Sequence, residues 1–161
     1  MDDLATKSRV FAAIFILANR LQMLGDTMDP RVTTKQWGVL EALGSAERPD
    51  LSLSQIAQRV GTSRQNVKKL AVALEREGLV SLARDPADAR ATRVTMTDEC
   101  HRHLAARAAT ERAFLAALFD GVPPDVVDGL AHGLARLLDN VGRMEDDDSS
   151  ADREAHHELL S

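Results

Sequence analysis

Two short amphipathic segments, separated by only three residues, constrain the fold of this chain more than any other feature. Each carries apolar residues at helical spacing, namely Leu53, Ile56, Ala57 and Val60 in the first and Val67, Leu70 and Leu74 in the second. Between them, Gly61 can adopt the positive φ that ends a helix, and Thr62 or Ser63 can cap the next one. Capping-box patterns begin at Ser52 and at Thr62, each followed three residues later by glutamine. The pattern predicts a helix-turn-helix.

The second of these helices has a polar face opposite its apolar residues. That face carries side chains that we expect to contact duplex DNA, namely Ser63, Arg64, Gln65, Asn66, Lys68 and Lys69. Arginine and the amides can form paired hydrogen bonds with base edges in a major groove, and lysine neutralises phosphates. Ser52, at the start of the preceding helix, is a further expected contact. The alternative is that this is the solvated face of an ordinary bundle helix.

Residues 79–83 and 92–96 have the composition of two short β-strands, and the loop between them contains proline and aspartate. A β-hairpin directly after a helix-turn-helix is a wing. Arg84, Arg90 and Arg93 place cations in or beside this loop, from which an extended arm could reach a minor groove. Alternatively, these arginines pair with Asp85 and Asp88. The two interpretations are compatible, because one arginine can be braced while another points outward.

The charge of the chain is unevenly distributed. Its formal net charge is −5, yet residues 51–97 contain eight basic and four acidic residues, a net of +4. Residues 145–161 contain seven acids and one arginine, a net of −6. Because local charge governs phosphate affinity, the basic centre is compatible with DNA binding. The chain has no tyrosine and 3% aromatic residues, which argues against a stacking surface for RNA or single strands.

Helical patterns are predicted on both sides of this central region. Apolar residues recur at helical spacing over residues 4–28, a length of roughly 35 to 40 Å at about 1.5 Å per residue. We interpret this helix as an oligomerisation element; the alternative is a long core helix within a monomer. A shorter helix begins at Thr33, where a capping box with Gln36 precedes Trp37, which we expect to be a core anchor. Two more helices are predicted at residues 97–120 and at about 125–144.

These elements predict a mainly α-helical fold with a small β wing. A winged helix-turn-helix at residues 31–97 is expected to bind DNA. Residues 1–30 are expected to form an N-terminal dimerisation helix and residues 98–145 the C-terminal dimerisation helices, so that long terminal helices form a dimerisation region. Residues 146–161 are expected to be an acidic disordered tail.

Several other classes of protein are disfavoured. No hydrophobic run reaches membrane-spanning length and no signal pattern begins the chain, so we expect a cytoplasmic protein without membrane contact. The single cysteine, Cys100, is expected to be a buried inert thiol rather than a reactive one. The paired histidines, 101 with 103 and 156 with 157, lack metal-ligand spacing. We therefore expect no metal, no cofactor and no enzymatic activity. A winged-helix dimer that binds protein without reading DNA is the second hypothesis.

The order of elements over residues 4–144 resembles the multiple-antibiotic-resistance-regulator (MarR) family of winged-helix transcription factors. The matching stretches are Gln36-Trp37-x-x-Leu40, Ile56-Ala57 through Ser63-Arg64-Gln65-Asn66-Val67, Leu74-Glu75-x-x-Gly78-Leu79-Val80 and, above all, Asp85-Pro86-x-Asp88-x-Arg90 followed by Val94-x-Met96-Thr97.

The resemblance implies an obligate homodimer in which the first and last helices of both subunits interleave. Two recognition helices would enter successive major grooves of a pseudo-palindromic operator, about 34 Å apart. Arg90 corresponds to the family's wing-tip arginine in the minor groove, and Asp88 to the acid that braces the wing. Members of the family usually repress nearby genes and release DNA when a small phenolic or otherwise anionic effector binds.

Three positions depart from the family pattern. The family often has arginine where this chain has Leu82 and Ala89, and glycine where it has Cys100. The missing cations reduce the expected number of phosphate contacts. Members that sense peroxide carry a reactive cysteine in the first helix, and this chain has none there.

Overall fold

The computed structural model describes the backbone of residues 3–88 and 90–158, and the side chains of residues 3–88 and 90–145. In chain order, its elements are α1 (Asp3–Gly25), α2 (Thr34–Gly44), β1 (Asp50–Ser52), α3 (Leu53–Val60), α4 (Arg64–Arg76), β2 (Val80–Arg84), β3 (Thr92–Met96), α5 (Asp98–Leu118) and α6 (Pro124–Glu158). Helices α3 and α4 are the predicted helix-turn-helix, and β2 and β3 are the predicted wing. The predicted fold class, mainly α with a small β wing, is confirmed.

The three strands form one antiparallel sheet in the order β1-β3-β2. In the wing hairpin, Val80 pairs with Met96, and Arg84 pairs with Thr92. Strand β1 pairs with the other edge of β3. A strand of three residues is too short to show an alternating pattern, so β1 has no signal in the sequence.

The hydrophobic core lies where α2, α3 and α4 pack against this sheet. Its largest fully buried side chains are Val39, Leu40, Ile56, Val67, Leu74, Leu79, Val94 and Cys100. Both predicted apolar faces are confirmed: α3 buries Leu53, Ile56 and Ala57, and α4 buries Val67 and Leu74. The remaining predicted members, Val60 and Leu70, are half-buried against this core. The core therefore fixes α3 and α4 relative to each other.

Helix α2 begins as predicted, but Trp37 is not among the residues that it buries. Thr33 and Gln36 form the predicted capping box, in which each side chain accepts a hydrogen bond from the other residue's backbone N–H. Gln36, Val39 and Leu40 are buried, whereas Trp37 is 36% exposed. The prediction that Trp37 is a core anchor is therefore wrong. The inward face of α2 runs through positions 36, 39 and 40, which leaves Trp37 at its edge.

The chain divides into two compact units, Met1–Ala108 and Ala109–Ser161. In the first unit, no residue of α1 is buried, but the end of α1 is attached to the start of α2. The N–H of Thr34 donates to Oδ1 of Asp26 at 2.7 Å, and the Thr34 hydroxyl donates to the carbonyl of Gln22 at 3.1 Å. Gly25 lies against this contact, since a Cβ at residue 25 would be 2.5 Å from Oγ1 of Thr34.

Helix α5 begins at the predicted cap, where Oγ1 of Thr97 accepts a hydrogen bond from the N–H of Cys100 at 3.1 Å. Helix α6 continues to Glu158, past its predicted end near residue 144. No proline or glycine follows Gly142, and alanine, glutamate and arginine favour a helix. The backbone of residues 146–158 is therefore helical in the structure, and disorder of the acidic tail stays a prediction. Residues 159–161 of the predicted tail lie outside the described residues.

Candidate nucleic-acid interface

A short turn connects α3 to α4. Gly61 adopts the left-handed conformation, with φ of 69°, and ends α3 as predicted. The N-cap of α4 is Ser63, whose hydroxyl oxygen accepts a hydrogen bond from the backbone N–H of Asn66 at 3.2 Å. The capping box predicted at Thr62 and Gln65 is therefore wrong. Because the N–H of Thr62 still bonds to the last turn of α3, α4 begins later than the box requires.

Burial of Val67, Ala71 and Leu74 turns the opposite face of α4 away from the core. The side chains predicted to contact DNA lie on that outward face, where Ser63, Arg64, Gln65, Lys68 and Lys69 are exposed and Asn66 is half-buried. The Nδ2 atom of Asn66 donates to Oγ1 of Thr62 at 3.0 Å. The outward face therefore offers paired hydrogen-bond donors in its first turn and two lysines in its second.

The cationic surface extends further along α4 than the predicted DNA contacts do. A groove of about 420 Å³ is lined by Gln65, Lys68, Lys69, Val72 and Arg76. Arg76 was not among the predicted DNA contacts. Arg76 lies seven residues, or two helical turns, after Lys69. This spacing in the sequence indicates that both side chains lie on the same face of α4. Arg76 continues the positive surface to the last turn of the helix.

Two aspartates hold the loop of the wing. Oδ1 of Asp85 accepts the N–H of Ala87 at 2.8 Å, and Oδ1 of Asp88 accepts the N–H of Arg90 at 2.9 Å. The side chains of Arg84 and Arg90 are exposed. This geometry gives Asp88 the bracing position that the resemblance implied and leaves two of the three predicted arginines facing solvent.

The third arginine, Arg93, is held by two carboxylates. Its Nε atom lies 2.7 Å from Oδ2 of Asp85, and a terminal nitrogen lies 3.5 Å from Oδ2 of Asp50; the side chain is 20% exposed. The N–H of Ala87, and then Arg93 itself, lower the pKa of Asp85 below its ordinary value. Arg93 therefore occupies a bracing position, which departs from its predicted role as a DNA contact. The sequence left this alternative open, and the structure places one arginine inward and two outward.

Ser52 lies where β1 meets α3. Its hydroxyl oxygen accepts the N–H of Gln55 at 3.2 Å, and the Gln55 side chain accepts the N–H of Ser52 at 2.9 Å. The capping box predicted here is confirmed. In this chain the Ser52 hydroxyl oxygen serves the start of α3, and the residue is half-buried.

Helix α4 and the wing are joined directly. A terminal guanidinium nitrogen of Arg64 donates a hydrogen bond to the backbone carbonyl of Arg90 at 3.2 Å. The first residue of α4 is thereby attached to the loop between β2 and β3. The two parts predicted to contact different grooves of one duplex thus form one connected surface.

The structure also shows the surroundings of Cys100 and His103, which the sequence raised as possible reactive or metal-binding groups. Cys100 is fully buried, and burial raises the pKa of its thiol, as expected of an inert cysteine. His103 lies 2.7 Å from a carboxylate oxygen of Asp29. Among residues 3–88 and 90–145, no group of three side chains is arranged to hold a metal ion. Within the same part of the chain, no helix has the length and apolar character needed to span a membrane.

A helix-turn-helix with an outward cationic helix, followed by a β-hairpin with exposed arginines, defines a winged-helix DNA-binding protein. Comparison with known proteins gives the family. The model of the MarR family matches residues 32–91. The transcriptional activatory protein BadR of Rhodopseudomonas palustris is 31% identical over 144 residues, covering 86% of this chain and 82% of BadR. The chain belongs to the MarR family of transcriptional regulators, so it is a DNA-binding regulator and not an enzyme.

Solved structures of the family share the fold. Sco3205 of Streptomyces coelicolor, determined in complex with DNA, is 21% identical, with a TM-score of 0.73 and coverage of 84% of this chain and 88% of Sco3205. BpsR of Bordetella bronchiseptica, whose DNA binding is regulated by 6-hydroxynicotinic acid, is 20% identical, with a TM-score of 0.69 and coverage of 80% and 98%. At these identities the likeness concerns the fold alone.

Proposed function

We propose that the chain acts as a homodimer that reads a pseudo-palindromic site in double-stranded DNA. The observation that carries the proposal is the outward cationic face of α4, which the core holds from behind and which Arg64 joins to the wing. In a twofold dimer, two copies of α4, the recognition helix, enter successive major grooves about 34 Å apart. We also propose a cytoplasmic location.

The chemistry of the exposed residues supports separate roles on DNA. Arg64, Gln65 and Asn66 offer donors and acceptors to base edges at the start of the recognition helix. Lys68, Lys69 and Arg76 neutralise phosphates that border the major groove in which the recognition helix lies. The hydroxyls of Ser52 and Ser63 stand at helix N-termini, where phosphate oxygens are favoured. Arg84 and Arg90 extend from the wing toward the minor groove, supported by Asp88 and, from inside, by Arg93.

Exposed apolar side chains support the homodimer. Helix α1 exposes Leu4, Val10, Phe11, Phe15, Ile16, Leu17, Met23 and Leu24. In the second unit, α6 exposes Val126, Leu130, Leu134, Leu137, Leu138, Val141 and Met144. Monomeric soluble proteins seldom expose apolar patches of this extent, and such patches mark interaction surfaces. Because both helices belong to the predicted dimerisation region, a second copy of the chain is the partner that we propose.

We further propose that a small phenolic or anionic effector controls DNA binding. The regulation of BpsR by 6-hydroxynicotinic acid, a hydroxylated aromatic acid, supports this class of ligand. Such an effector would favour a dimer whose recognition helices are wrongly spaced for DNA, and so would shift the population away from the bound state.

Repression of nearby genes remains the prediction for the direction of control. BadR is a transcriptional activatory protein, so activation is the competing outcome. A reporter gene placed behind the upstream fragment of the chain's own gene distinguishes them, because deleting the regulator raises expression under repression and lowers it under activation.

Two measurements test the central proposal. Light scattering during size-exclusion chromatography should give twice the mass of the chain. Fluorescence anisotropy with the duplex upstream of its own gene should give tighter binding than with a scrambled duplex, and log K should fall linearly with log salt concentration. A stable monomer, or binding that is insensitive to salt, contradicts the proposal.

A further inference from the structure

One side chain, Arg31 in the loop between α1 and α2, connects the end of the recognition helix to the start of α5. Its guanidinium lies 3.0 Å from Oε1 of Glu99, 2.9 Å from the backbone carbonyl of Glu77 and 3.6 Å from Oε2 of Glu77. Glu77 is the C-cap of the recognition helix, and Glu99 lies in the first turn of α5. The guanidinium therefore links the two helix ends beside a second connection, in which the hydroxyl of Thr97, the cap of α5, donates to the carbonyl of Gly78 at 2.7 Å.

The loop that carries Arg31 is itself attached to α5. Oδ1 of Asp29 accepts the N–H of Arg31 at 2.8 Å, and Oδ2 lies 2.7 Å from Nε2 of His103 and 3.0 Å from a guanidinium nitrogen of Arg107. The Asp29 side chain is only 2% exposed. Burial raises the pKa of Asp29, but its hydrogen bonds and the nearby cations lower that pKa by more, so the carboxylate is charged at neutral pH. The base of the Arg31 side chain is therefore fixed.

The contacts of Arg31 suit a guanidinium in particular. Its donors form a planar fork that can serve a carboxylate and a carbonyl at the same time, whereas lysine offers one compact ammonium. The last carbonyls of a helix have no partner within the helix, so the hydrogen bond to Glu77 satisfies one of them. This bond attaches the C-terminal end of the recognition helix at a defined point.

We infer that Arg31 is a positioning residue for DNA reading. By holding the end of the recognition helix against the start of α5, it sets the separation of the two recognition helices in a dimer. Arg31 acts through Glu77 rather than by contacting DNA. The inference rests on the proposed function, because it requires a dimer that reads two half-sites.

The test compares Arg31→Gln and Arg31→Lys with the control Arg102→Gln in the full chain. Arg102 binds the other carboxylate oxygen of Glu99 at 2.9 Å, but from within α5, and its side chain is 72% exposed. Anisotropy titrations use three duplexes: the site that footprinting finds upstream of the chain's own gene, the same site with two base pairs inserted between half-sites, and a scrambled duplex. Thermal unfolding of each variant checks that all the proteins used in the titrations are folded.

Arg31→Gln should weaken binding to the natural spacing about tenfold and leave binding to the scrambled duplex unchanged. The preference for the natural spacing over the lengthened one should fall accordingly. Arg31→Lys should show the same loss, because one nitrogen then replaces the two that bond separately to Glu99 and Glu77, and Arg102→Gln should behave as the wild type does.

An unchanged spacing preference in Arg31→Gln, equal weakening on all three duplexes, or full recovery with Arg31→Lys would overturn the inference. If Arg31→Gln does not fold, Glu77→Gln takes its place, since it alters only the 3.6 Å contact; it should lower the spacing preference by less, and no change would again overturn the inference. A wild-type chain that is monomeric or binds no duplex refutes the proposed function instead.

Discussion

The guanidinium of Arg64 and the backbone carbonyl of Arg90 are joined by a hydrogen bond of 3.2 Å, although 26 residues separate them in the chain. Arg64 opens the recognition helix, and Arg90 lies at the tip of the wing. The side chain that we propose for reading a base therefore also supports the loop that we propose for the minor groove.

Replacing Arg64 by alanine should reduce discrimination between DNA sequences. The variant loses a base-edge contact worth about 1 to 3 kcal/mol and also loses the attachment of the wing tip. Competition anisotropy should therefore show reduced preference at both major-groove and minor-groove positions of the footprinted site. Asn66→Ala should relax major-groove positions only. If Arg64→Ala reduced sequence preference only at major-groove positions, the hydrogen bond to Arg90 would have no role in DNA binding.

Replacing Lys68 by alanine should weaken binding to all duplexes alike. An exposed lysine on the recognition helix neutralises a phosphate, and removing it releases roughly one counterion fewer on binding. The slope of log K against log salt should become shallower by roughly one unit. Lys35→Ala, which removes an exposed lysine from α2, is the matched control and should leave the slope unchanged. A loss limited to one sequence would assign Lys68 to base reading.

The two wing arginines should respond differently to replacement by alanine. Arg90 is exposed, so Arg90→Ala should lower DNA affinity and leave the unfolding temperature unchanged. Arg93 is paired with Asp85 and Asp50, so Arg93→Ala should lower the unfolding temperature. Differential scanning calorimetry together with anisotropy separates the two effects. Equal unfolding temperatures for the two variants would contradict the bracing position of Arg93.

Acid should remove the stability that Asp29 contributes. Its pKa is lowered in the folded state, so this contribution is fully present above the ordinary carboxyl pKa of about 4 and is lost as pH falls through the folded value. At pH 7, Asp29→Asn should lower the free energy of unfolding by about 1 to 3 kcal/mol, the scale of a charge-assisted hydrogen bond. Urea unfolding between pH 7 and pH 3 should show this difference shrinking below about pH 4. A difference that does not change with pH would assign the effect to packing.

The parts of the fold that the sequence predicted have local signals. Gly61 marks the end of α3, the apolar spacing of Val67 and Leu74 marks the buried side of α4, and proline with aspartate marks the wing loop. Each signal depends on residues within a few positions of one another. The outward face of α4 follows from the same spacing, which is why most of the proposed DNA contacts could be chosen without a structure.

The parts that the sequence did not predict depend on contacts between distant residues. Arg31 bonds to Glu99, which is 68 positions away, and nothing in either segment indicates the other. Arg93 could have faced DNA or a carboxylate, and only the pairing of β1 with β3 brings Asp50 beside it. Trp37 was misplaced because it lies at helical spacing from Leu40 and Leu43, which are buried, whereas the inward face of α2 includes Gln36 instead.

The close approach of Gly25 to Thr34 disfavours a larger residue at the end of α1, because an added Cβ would displace the Thr34 hydroxyl from its hydrogen bond to the carbonyl of Gln22. The three-stranded sheet and the core do not include this end of α1, so a bulkier residue at position 25 would leave them intact. In the homodimer that we propose, a changed direction of α1 would alter how one subunit packs on the other. The half-site spacing that this dimer is proposed to recognise would then depend on position 25, which is not among the proposed DNA contacts.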